Sequence, residues 1–213
     1  MGKLTGRQVA DEALEGWVNL GGVLGTRIRT SDFASALALV NSIGAAAEEM
    51  NHHPDIALGW GRVDVRLSSH DAGGITERDV RLARVISALA EDANLEPESE
   101  TVARLDLALD SPSFASVLPF WRAVLRLSVD APDEIVDPSS LLPSIWFQES
   151  GDEVDRQRWH VDLWVEPAEV HPRIEAALAA GGTLFSDMNA PSFWILADPE
   201  GNKVCLCTWQ DRS

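Results

Sequence analysis

One break in the chain limits how it can fold. Residues 91–101, EDANLEPESET, are acidic, carry Pro97 and show neither helical nor strand periodicity, so no regular element is expected to run through them. A chain of 213 residues with 45% apolar content then has material for one small core on each side. The expectation is two domains, residues 1–92 and 102–213, joined by an acidic linker at 93–101.

The first domain reads as helix, strand, strand, helix, strand, strand, helix. Val9, Ala10, Ala13 and Leu14 mark a helix over 5–15, and Gly21-Gly22 separates strands at 17–20 and 23–30. Ser31 or Asp32 caps a long helix whose Phe33, Ala36, Leu37, Val40, Ile43 or Gly44, and Ala47 recur at helical spacing. Val63, Val65 and Leu67 alternate with Arg62, Asp64 and Arg66 in the strand over 62–69, which follows another at 55–60. Thr76 and Asp79 form a capping-box variant opening a helix over 76–91. This order predicts an α+β fold with helices on one face of an antiparallel sheet.

Three of the five histidines fall between two of these elements, His52-His53 at the end of the long helix and His70 at the end of a strand. Adjacent residues on extended chain point to opposite sides, so His52 and His53 are poorly placed to share a metal ion. No cysteine and no HExxH occurs in this half, and no metal is expected there. Acid/base chemistry fits better, because imidazole both takes and gives a proton near neutral pH. The competing structural reading makes His52-His53-Pro54 a polar helix stop.

Glu48, His52-His53-Pro54, Trp60, His70 and Asp79, at their spacings, resemble the signature of the pterin-4a-carbinolamine dehydratases, also called 4a-hydroxytetrahydrobiopterin dehydratases. The similarity covers about the first ninety residues and takes in Leu4-Thr5, Gly16-Trp17, the helix start at Ser31-Asp32-Phe33 and Ala47. Trp60, Ser69 and Asn51 stand where Tyr, Thr and an acidic residue are common. The resemblance implies a cofactor-free elimination of water from a 4a-hydroxytetrahydropterin, with His52, His53 and His70 as catalytic residues. It implies a substrate site built from Glu48, Asn51, Trp60, Ser69, Asp79 and Trp17, in a homo-oligomer. A non-catalytic binding or dimerisation module is the alternative for the same fold.

The second half contains an internal pseudo-repeat. VARLDLALDSP opens one copy and QRWHVDLWVEP the other, with helices expected over 114–125 and 170–180. Strands are expected at 144–148, 183–185, 193–197 and 203–208, and a hairpin loop at 198–202. FWRAVL at 120–125, WHVDLWV at 159–165, AAGG at 179–182 and DPEGNKVCL at 198–206 are similar to paired βαβββ modules of the glyoxalase, or vicinal-oxygen-chelate, superfamily. That resemblance implies a metal, but only His160 matches a ligand position; Arg104 and Cys205 stand at two others, with Gln148 or Glu149 left for the last. A fixed cation at Arg104 opposes a divalent ion, and the half is expected to be a metal-free pocket or an interaction domain.

Lys plus Arg number 17 against 34 Asp plus Glu, a formal charge of −17 that repels nucleic-acid backbones and anionic membranes. No apolar run approaches the ~18 residues of a membrane span, and the first residues have no signal-peptide pattern. Cys205 and Cys207 make neither a disulfide framework nor a CxxC motif, so a cytoplasmic location is expected.

Overall fold

The computed structural model describes residues 2–125, 127–137, 142–149, 159–197, 201 and 203–212. The chain divides into two compact units. One is Met1–Ala103 with Val165–Glu169 and Thr208–Ser213, the other Arg104–Trp164 with Val170–Cys207.

The first unit runs α1 (Gly6–Asp11), β1 (Val18–Asn19), β2 (Leu24–Arg29), α2 (Phe33–Met50), β3 (Asp55–Gly59), β4 (Arg62–Leu67) and α3 (Glu77–Asp92), the element order expected. Its sheet is antiparallel throughout, in the order β1-β2-β4-β3. Val63, Val65 and Leu67 are fully buried in one core with Ile43, Val80, Leu82 and Ile86 from α2 and α3. α1 is shorter than its apolar pattern suggests, because Ala13 takes a positive φ of 48° soon after the helix ends. α2 begins where the Ser35 N–H donates to the Asp32 carboxylate at 2.8 Å, and its buried stripe is Ala36, Leu39, Ile43 and Ala47. Phe33 and Leu37, expected on that stripe, are instead exposed. Each lies too far round the helix from it.

Residues 93–101 do not hang free of the first unit. The Arg29 N–H donates to the Glu96 carbonyl at 3.0 Å, the Glu98 N–H to the Arg27 carbonyl at 2.7 Å, and Ile28 bridges Pro97. They run along the part of β2 that the two-residue β1 leaves uncovered. Gly16, at φ 78°, gives Pro97 its place, since a Cβ there would lie 2.6 Å from the proline ring.

The repeat runs as β5 (Arg104–Ser111), α4 (Phe114–Leu125), β6 (Ser128–Ala131), β7 (Glu134–Val136) and β8 (Ser144–Glu149), then β9 (Trp159–Trp164), α5 (Pro167–Ala179), β10 (Thr183–Ser186), β11 (Phe193–Ala197) and β12 (Lys203–Cys207), all in the second unit except the start of α5 through Glu169. α5 thus begins three residues ahead of residue 170, where its start was expected. The sheet order β10-β11-β12-β9-β5-β8-β7-β6 reads alike from either end, with β5 and β9 antiparallel at the centre. Strands β6 and β7 had no sequence signal. At four and three residues they are too short for alternation to register. The expected loop at 198–202 lies, apart from Gly201, outside the described residues.

Alternation divides this sheet into two chemistries. Leu109, Ile135, Ile145 and Phe147 are buried and pack with Phe114, Val117 and Leu118 of α4. Residues of the opposite parity, among them Arg104, Asp106, Asp110, His160 and Asp162, put ionisable groups on the other face. There Asp106 lies directly across from Asp162.

Candidate active site

The end of α2 sets the directions of both neighbouring histidines. Asn51 takes the left-handed conformation at φ 47°, and the His52 N–H closes the helix by donating to the Ala47 carbonyl at 3.1 Å. Beyond that reversal His52 is buried while the His53 side chain stays 56% exposed. This divergence bears on the expectation that the two would not chelate one ion.

His52 meets Asp79, which is delivered from the first turn of α3. His52 Nε2 lies 2.8 Å from Asp79 Oδ1, and the Asp79 side chain has no solvent exposure. The other carboxylate oxygen accepts the Ser69 hydroxyl at 2.7 Å, the Thr76 N–H at 2.7 Å and the Thr76 hydroxyl at 3.1 Å. A carboxylate only accepts hydrogen bonds, so His52 Nε2 carries the hydrogen and Nδ1 is left as the basic nitrogen. The capping box and the imidazole thus share one carboxylate, and the fold of α3 fixes the ring.

The other predicted residues divide into those near this network and those away from it. Ser69, buried, turns its hydroxyl to Asp79 and Thr76, so it braces the carboxylate from within. His70 follows Ser69 directly and opens a 3-10 turn over His70–Ala72, exposed to solvent. His53 Nε2 lies 3.2 Å from Glu48 Oε1 in an exposed pair separate from Asp79. Asn51 is the exposed cap. Trp60 is 76% exposed at the β3–β4 turn. Trp17 is a core residue whose Nε1–H donates to Ser87 at 3.0 Å. Thr76 was read from sequence only as a cap, and its second role as a donor to the histidine's carboxylate was missed. The capping-box spacing to Asp79 carried that signal.

The model of the family described as pterin 4 alpha carbinolamine dehydratase matches residues 2–89. A protein of Thermosynechococcus vestitus with a provisional pterin-4-alpha-carbinolamine dehydratase name is 46% identical over 77 residues, 36% of this chain and 81% of its own length. One of Sulfurisphaera tokodaii with the same name is 40% identical over 91 residues, 42% of this chain and 98% of its own. The chain belongs to the pterin-4a-carbinolamine dehydratase family. A solved structure from Brucella melitensis titled as a transcriptional coactivator/pterin dehydratase aligns with 42% of this chain and 99% of its own, at 30% identity and a TM-score of 0.41. This dehydratase-family chain differs from both named relatives in carrying a second half, and the model described as glyoxalase-like domain matches residues 106–207 of it.

The polar sheet face of that glyoxalase-like domain does not fit the divalent ion its fold implies. Arg104 grips Asp106 with Nε at 2.9 Å and Nη2 at 2.8 Å, and Ser144 donates to the same carboxylate at 2.6 Å. His160 Nε2 is committed to Asp110 at 2.8 Å, and Trp146 donates to Asp162 at 3.1 Å. Among the described residues no cluster of three His, Cys, Asp or Glu is arranged to hold a metal. Burial pushes the Asp162 carboxyl above the ordinary range, with Asp106 adding to the effect and hydrogen bonds from Cys205 and Trp146 opposing it. Burial raises Glu134 as well.

Among the described residues no helix is long and apolar enough to cross a membrane.

Proposed function

We propose that the N-terminal unit dehydrates a 4a-hydroxytetrahydropterin to the quinonoid dihydropterin. In this reaction N5 loses its proton, the C4a–O bond breaks as the N5=C4a double bond forms, and the departing hydroxyl gains a proton to leave as water. Two imidazoles can divide these acts between them without a cofactor.

The observation that carries the reading is the buried His52–Asp79 pair, with the second carboxylate oxygen tied to Ser69 and Thr76. Such bracing holds one ring in one tautomer and leaves Nδ1 available, as a general base requires. His70, exposed beside Ser69, is the partner acid or base, and His53 with Glu48 orients the pterin from the exposed side. Asn51 acts by setting the direction of both histidines. In this reading Trp17 supports the fold from the core.

The unit is also proposed to work as a homo-oligomer. Phe33 and Leu37 lie one turn apart on the exposed face of α2, and the indole of Trp60 is largely in solvent, so the unit has apolar surface to bury. Light scattering of the purified chain checks this, and a monomer at micromolar concentration is the contrary result.

The test of the reaction is the rate of quinonoid dihydropterin formation, followed by absorbance against the spontaneous dehydration. Acceleration by wild type, lost in both His52→Ala and His70→Ala, is the expected outcome. A wild-type rate equal to the spontaneous rate rejects the assignment.

A further inference from the structure

A pocket of about 380 Å³ opens in the first unit at a place the histidine network does not use, lined by residues of α1, the connection that follows it, β1 and β2 together with Glu166 and Trp209. Residues 165–169 and 208–213 belong to this unit, so all of its walls do. Its volume lies within the range of small-molecule sites, roughly 300–1,000 Å³.

The walls combine carbon surface with negative charge. Val9, Leu14 and Leu24 supply aliphatic surface, and the indoles of Trp17 and Trp209 supply aromatic surface. Trp17 already spends its N–H on Ser87, so what it offers a ligand is its ring. Trp209 is seated against the start of α1, where a Cβ on Gly6 would come within 2.9 Å of its ring. The polar members include two carboxylates, Glu15 at an exposed position and Glu166 partly buried. Neither Glu15 nor Glu166 has a Lys, Arg or His within salt-bridge distance among the described residues. Burial, reinforced by Glu169, drives the Glu166 carboxyl above its ordinary range, the mark of a site where negative charge lacks compensation.

Aliphatic walls alone would take a neutral apolar molecule, and carboxylates alone would take any hydrated cation. Two indoles with two carboxylates select an ion that is positive yet weakly hydrated, because an aromatic ring attracts a cation that has shed its water. We infer that this pocket, between α1 and the segments bearing Glu166 and Trp209, binds a small organic cation of the alkylammonium class. The inference stands apart from the dehydratase reading, since it shares no residue with the His52–Asp79 network.

The probe pair is choline and its neutral carbon isostere 3,3-dimethyl-1-butanol, titrated into the full chain by calorimetry at neutral pH. Choline is expected to bind roughly tenfold more tightly than the isostere, in line with a cation over aromatic surface. Glu166→Gln should remove most of that preference while leaving the isostere's affinity unchanged, and Glu15→Gln should reduce it less. Acidification should weaken choline binding to wild type as Glu166 gains its proton, a readout that needs no variant. His52→Ala should leave both affinities as they are, so a failure of the pterin assay and a failure of this inference are told apart. Equal affinities for the two probes, no binding of either at millimolar concentration, or a preference that survives Glu166→Gln each overturn the proposal.

Discussion

Each half of this chain holds a histidine and an aspartate at the same separation, 2.8 Å between Nε2 and a carboxylate oxygen, and the two pairs are otherwise unlike. In the first unit the Asp79 side chain has no exposure, and three donors of the chain hold its second oxygen. In the second unit Asp110 is 19% exposed and His160 35% exposed. A distance between two side chains therefore says little about what the pair can do. What separates them is how completely the carboxylate is withdrawn from water, because a pair kept dry holds its geometry and its tautomer where a solvated one exchanges partners.

The sharpest way to break this comparison is catalytic. His52→Ala should lower the enzymatic dehydration rate by about 10²–10⁴-fold, the usual worth of a positioned acid or base, while His160→Ala leaves it within about twofold; both rates come from the same absorbance assay. Comparable losses in the two variants would erase the distinction between the pairs.

Stability should sharpen it next. Asp79→Asn leaves the Ser69 and Thr76 donors mismatched in a dry site and is expected to destabilise the first unit by about 2–4 kcal/mol in urea unfolding. Asp110→Asn, at a partly solvated site, should stay within about 1 kcal/mol. Ser69→Ala, which removes one of the three donors to the second oxygen, should fall between them at about 1–2 kcal/mol.

A further contrast is in pH. The folded pKa of Asp162 is raised by burial, so the folded state holds its proton at pH values where the unfolded chain has released it. Stability of the second unit should therefore fall as pH rises from the ordinary aspartate range through the elevated pKa, and acidification over that window should restore it. Thermal unfolding of wild type and Asp162→Asn across the window measures the effect, and a flatter profile in the variant is the expected outcome. The smallest effect belongs to the exposed His53–Glu48 pair, where Glu48→Gln should change unfolding free energy by less than about 1 kcal/mol.

The first unit was legible in the sequence because each of its elements carries its own local signal. The alternation of Val63, Val65 and Leu67, the cap at Asp32 and the box at Thr76 and Asp79 each specify an element, and all agree with one sheet. The meeting of Asp79 with His52 needs two elements to be placed in three dimensions, and no periodicity encodes that. Trp60 shows the limit from the other side. An aromatic at a matching spacing reads as a pocket wall, but spacing alone does not tell that the β3–β4 turn leaves its indole 76% exposed within the unit. In the second half the expected strands are present, whereas β6 and β7 are too short to announce themselves. The segment over 93–101 looked unstructured because its order comes from main-chain hydrogen bonds to Arg27 and Arg29, to which side-chain composition is blind.

The central pairing of the second sheet carries a consequence for any protein made of two copies of one module. Where the two copies meet about a pseudo-twofold axis, the residue nearest the axis faces its own counterpart, and here Asp106 faces Asp162. Elsewhere on the sheet a charge in one copy can be answered by a different residue in the other. On the axis an unaltered duplicate opposes like with like, so departure from sameness has to come from the neighbours. Arg104 holds the carboxylate of one copy, while Trp146 and Cys205 hold the other's. The two halves of a repeat are thus under the strongest incentive to become different at the position where symmetry holds them most alike.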